Sequence, residues 1–109
     1  MSKEQTVGAF LKEKMTNMAV WVSTELGPGV TTVDMKQYVS ERTETEIAYV
    51  AGLLSTNLNL IAHRDWSGLA RLQELPPQLE TLFHHIRQRE DMHDKFWRYM
   101  ELFAQVISN

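Results

Sequence analysis

The chain has 109 residues, 43% apolar and 23% charged, with a net charge of −3 and no cysteine. That balance is that of a globular protein able to close a core without metal or disulfide, and disulfide and thiolate chemistry are excluded. The first 25 residues carry Lys3, Glu4, Lys12, Glu13 and Lys14 at helical spacing and no uninterrupted apolar run, so neither a signal peptide nor a membrane span is expected there, and none of the segments 1–30, 31–62 and 63–109 is net basic, which disfavours nucleic acid as a partner.

Ser2, with Gln5 three residues later, reads as a capping box. The helix it opens has a buried stripe at Val7, Leu11, Met15, Met18, Val22 and Leu26, repeating every three or four residues. Phe10 widens the stripe and Trp21 sits at its edge. Gly27-Pro28-Gly29 is a stop signal.

Thr31 or Thr32 can cap the next helix, with Asp34 in its first turn and an apolar face of Met35, Tyr38 and Val39. The spacing predicts two helices, about 32–41 and 44–62, with one continuous helix as the alternative. Thr43 and Glu46 form a second capping box. Behind it Ile47, Val50, Ala51, Leu54, Leu58 and Ile61 hold one face for about four turns. Tyr49, Leu53 and Leu60 add a parallel strip, so the segment reads as the core helix.

Asp65 can cap a short helix carrying Trp66, Leu69, Leu72 and Leu75, and Pro76-Pro77 ends it, with Pro77 suited to the first position of the next. Leu79, Leu82, Phe83 and Ile86 lead that next pattern, and Phe96, Met100, Phe103, Val106 and Ile107 follow. The polar run Arg87 to Asp91 between them is either the solvated middle of one helix or a break that Asp91 caps. No segment alternates as a strand. The expected fold is all-α: a small single-domain bundle, residues 1–109, of four to six helices, its long C-terminal helix continuous or broken near residue 90.

Candidate chemistry is thin. Glu90 and His93 have the i, i+3 spacing of helical carboxylate–histidine metal sites, but such sites need a second copy of the motif and further carboxylates. Glu80 and His84 share a face at i, i+4, while His84 and His85 diverge by about 100°. His63-Arg64-Asp65 lacks an oriented third group, and no serine lies in a glycine-rich nucleophile turn. No catalytic residue, cofactor site or metal site is therefore assigned. The helix pair 32–62 has the outline of a helix-turn-helix, yet its second helix opens with Glu44 and Glu46, which phosphates would repel.

Large apolar side chains exceed what so short a chain readily hides. Trp21, Trp97, Tyr99, Tyr49 and Phe10 lie on or near stripe edges and are the candidate partner-interface residues, since aromatic residues dominate interface energies. The expected function is non-enzymatic regulation through contact with another protein, in the manner of a cytoplasmic inhibitor or antiactivator that occludes a transcription regulator or similar partner, with homodimerisation. The alternatives are a DNA-binding regulator using residues 32–62, and a helical metal- or small-ligand-binding protein using Glu90 and His93.

Overall fold

The computed structural model describes residues 3–27 and 35–108, with side chains over 7–27 and 35–106. Seven α-helices and one 3-10 turn, with no strand among the described residues, make the fold all-α. In order they are α1 (Lys3–Leu26), α2 (Met35–Glu41), α3 (Glu44–Ser55), α4 (Leu58–Ala62), α5 (Trp66–Ala70), α6 (Pro77–Arg87), the 3-10 turn Glu90–Met92, and α7 (His93–Ser108). The Ser2–Gln5 box and the Thr31, Thr32 and Asp34 start signals lie outside the described residues.

The apolar periodicity becomes the core. α3 packs mainly against α7 and α1, and α1 also carries α2. Ile47, Val50, Ala51 and Leu54 from α3 meet Leu11, Met15, Met18, Ala19 and Val22 from α1 and Phe96, Met100 and Phe103 from α7 in one buried cluster. Fully burying a side chain of this size stabilises by about 1.5–3 kcal/mol, so the helices are held by these faces more than by intrinsic propensity.

Helix ends follow their local chemistry. At the start of α3 the Glu46 N–H donates to Thr43 Oγ1 and the Thr43 N–H donates to Glu46 Oε1, both at 3.1 Å. Asp65 Oδ1 accepts from the Gly68 N–H at 2.9 Å and caps α5. Pro77 opens α6, where its missing donor costs nothing. Gly27, at φ +79°, ends α1 in the left-handed region. Lys12 crosses from α1 to donate to the Arg42 carbonyl at 2.8 Å, closing the last turn of α2.

Two expectations about continuity are corrected, and the break near residue 90, one of the two alternatives, is present. The core helix does not run to residue 62: it stops at Ser55, and Leu58–Ala62 is a separate turn. Thr56 Oγ1 and Asn57 Nδ2 both donate to the Leu53 carbonyl, at 2.9 and 2.8 Å. These side chains take up a carbonyl that a continuing helix would bond through its backbone. Past the break the register changes, so Leu58, expected on the buried stripe, is 39% exposed, while Ile61 stays buried. The Trp66 helix ends at Ala70, leaving Leu72 and Leu75 in turns, with Leu75 still buried. Near residue 90 the chain breaks, and Asp91 does not cap the final helix in the way foreseen; its carboxylate is held by Arg89 at 2.8 and 3.0 Å inside the 3-10 turn.

Candidate interaction surfaces

The five aromatic candidates part company. Trp97 is corrected from edge to core: it is 1% exposed. α5 is the reason, because Trp66 lies 4.8 Å from the Trp97 ring and 5.2 Å from Phe96, and covers both. The Trp97 Nε1 is buried without an acceptor among the described residues.

Trp21 and Tyr99 come together. Their centroids are 5.8 Å apart across the α1–α7 seam, and Tyr99 also stacks on Phe103 at 6.0 Å. Both are half-buried. Lys95 holds its ammonium 5.0 Å above the Trp21 ring. Phe10 shares this side of α1, eleven residues and about 16 Å before Trp21. Phe10 is 38% exposed, and Lys14 stands 5.3 Å over its ring. Phe10 was expected to widen the buried stripe; its direction from α1 puts it on the outer face instead. Val20, 46% exposed, points about 100° round the helix from Trp21. The result is two separate aromatic spots along one side of α1, Phe10 under Lys14 and Trp21 with Tyr99 under Lys95, with Lys14 and Asn17 between them.

Tyr49 is elsewhere. Among the described residues it is the most exposed large apolar side chain, at 59%, so the second apolar strip foreseen on the core helix is not uniformly buried. Tyr49 forms one wall of an open groove of about 570 Å³ between the α2–α3 turn and the start of α6. Tyr38, Arg42, Glu46, Glu74, Pro76 and Gln78 complete most of its lining. Arg42 lies on the Tyr38 ring at 4.7 Å, with Nη1 3.6 Å from Glu46 and Nη2 4.0 Å from Glu41. Burial pushes the Tyr38 phenol up from its ordinary pKa. The Thr43 backbone and hydroxyl hold the Glu46 carboxyl below the usual range. Of the groove residues only Tyr49 is a surface candidate in the sequence; Tyr38, Glu46, Val50 and Pro76 read there as core, cap and stop, and Glu74 and Gln78 join Arg42 in one groove only through the fold.

Two of the histidines make defined contacts. His93 Nε2 lies 2.9 Å from the Ile86 carbonyl and 3.1 Å from that of Arg87, so it donates to the open end of α6. Its ring also stands 5.3 Å from Trp66. His84 bonds Gln88 at 3.2 Å. Among the described residues no three acidic or histidine side chains converge as metal ligands, and no helix is long and apolar enough to cross a membrane. In the helix pair α2–α3, Glu44 and Glu46 are both exposed at the start of α3. Comparison with protein-family models, curated proteins and solved structures gives no significant match.

Proposed function

We propose that the protein is a non-enzymatic, cytoplasmic regulator that works by covering a surface of another protein, and that it also pairs with itself. Occlusion of a transcription regulator's own working surface is the mode this reading favours. The observation that carries it is the outward side of α1, where Phe10 and Val20 are exposed and Trp21 is half-buried with Tyr99 5.8 Å from its ring. Side chains of this size left at the surface of one helix are characteristic of interface anchors. Glu44 and Glu46, exposed where a reading helix would meet phosphates, weigh against DNA as the partner. The test is size exclusion with light scattering, together with partner capture, on Phe10→Ala, Trp21→Ala and Tyr99→Glu. Folded variants with association weakened by roughly thirtyfold, the effect of losing about 2 kcal/mol, support the reading. Folded variants that associate like the parent end it.

A further inference from the structure

The Tyr49 groove presents charge unevenly. Its one cation among the described residues, Arg42, is already answered by the Tyr38 ring, Glu46 and Glu41. The Arg42 Nε is buried without an acceptor among the described residues, and the third of the side chain that is exposed lies beside these partners. Glu46 is committed as well, between Thr43 and Arg42. Glu74 is different: it is exposed and has no hydrogen-bond or ionic partner among the described residues. In the same lining the Tyr49 ring is 59% exposed, Pro76 adds apolar surface, and the side chains of Gln78 and Thr45 are unengaged among the described residues. The unmatched features are thus one negative charge, one aromatic face, an apolar wall and neutral oxygen acceptors.

We infer that this groove binds an arginine side chain, presented next to an apolar residue in an exposed segment of a partner protein. A guanidinium is planar, stacks on an aromatic ring and donates several hydrogen bonds in one plane. It can lie on Tyr49 while its N–H groups donate to Glu74 and Gln78, and an adjacent apolar side chain covers Pro76. A volume of about 570 Å³ holds two or three side chains. This inference stands apart from the α1 surface and survives if that reading fails.

The experiment is amide chemical-shift titration of the labelled full chain. The probe is the peptide acetyl-Ala-Leu-Arg-Leu-Ala-amide, with versions carrying citrulline or glutamate in place of arginine. The arginine probe should shift the amides of Thr45, Tyr49, Glu74 and Gln78. Citrulline, which keeps the shape and removes the charge, should bind about tenfold more weakly, and glutamate not measurably. Glu74→Gln and Tyr49→Ala should each weaken the arginine probe about tenfold, while Glu101→Gln, an exposed α7 carboxylate outside the groove, should not. Trp21→Ala should leave this binding unchanged. Equal binding of the citrulline or glutamate probe, or equal loss in Glu101→Gln, overturns the inference. So does free arginine amide binding as tightly as the peptide, which would make the occupant a small molecule. Groove shifts that arise on concentrating the protein alone would make it a second copy, and would overturn it too.

Discussion

Arg64 reaches Asp94 at 2.7 Å from a backbone in the left-handed region, at φ +51°. It follows the end of α4, where the Asp65 N–H bonds the Leu60 carbonyl at 2.8 Å and the Arg64 N–H bonds that of Ile61 at 3.1 Å. That is the six-to-one and five-to-two pairing of a Schellman cap, which usually places glycine where Arg64 stands. The strain is accepted and the side chain is used to tie the α4–α5 corner to α7. Arg64→Ala keeps the strain and loses the tie, whereas Arg64→Gly loses both. Arg64→Gly should therefore be the more stable of the two by about 1 kcal/mol in denaturant unfolding. The reverse order would mean that the left-handed backbone is relieved in solution.

Two helical glycines should answer to alanine with opposite signs. A Cβ on Gly8 would stand 2.8 Å from Glu44 Cβ and 3.1 Å from its carbonyl oxygen. Gly8→Ala should part α1 from the start of α3 and cost about 1–3 kcal/mol despite alanine's better helix propensity. A Cβ on Gly52 would meet nothing within 4 Å, so Gly52→Ala should stabilise by about 1 kcal/mol. Melting of both variants beside the parent decides it.

Core positions should respond by cavity size. Leu54 and Trp97 are each 1% exposed. Leu54→Ala should destabilise by about 2–5 kcal/mol and Trp97→Ala by about 3–5 kcal/mol. An unchanged denaturant midpoint for Leu54→Ala would mean that α3 sits in another register. Trp97→Ala, losing stability first, is a control for the interface variants and not one of them.

The acid limb of stability should trace to exposed carboxylates with fixed partners. Glu46 is held below its ordinary pKa mainly by the Thr43 backbone N–H, and Asp94 by its hydrogen bond from Arg64. A carboxyl depressed on folding adds stability in full above its unfolded pKa, about 4, and loses it as pH falls through the lower folded value. Glu46→Gln and Asp94→Asn should therefore differ from the parent near pH 7 and converge with it at about pH 2–3. Thr43→Ala, which removes the hydroxyl of the box, should cost about 1 kcal/mol. Urea midpoints across that pH range would show a constant offset if the carboxylates were idle.

Much of the fold could be read from the chain because it depends on near neighbours. The stripes of α1, α3, α6 and α7 and the caps at Thr43, Asp65 and Pro77 are patterns within a few residues. The break at Thr56–Asn57 was hidden because Ile61 returns to the core beyond it, so the apolar series looks unbroken. Trp97 was misjudged because what buries it is Trp66, thirty-one residues earlier. The same limit applies to the surfaces. Trp21 could be picked out by its size at a stripe edge, whereas the pairing with Tyr99 needs two helices, and the groove needs three separate stretches of chain. Glu74 looks like any loop carboxylate until the fold sets it in one groove with Tyr49.

The placing of the three tryptophans also makes the protein its own optical probe. Trp97 is sealed in the core, Trp66 is the half-buried plate above it, and Trp21 is half-buried on the outer seam under Lys95. Indole emission shifts with the polarity around the ring. Leaving one tryptophan in place and replacing the other two with phenylalanine would assign each signal. The Trp97 signal would report whether the core is closed and the Trp66 signal whether α5 has lifted. The Trp21 signal would change when something settles on α1, so docking and unfolding could be followed separately in one sample without an added label.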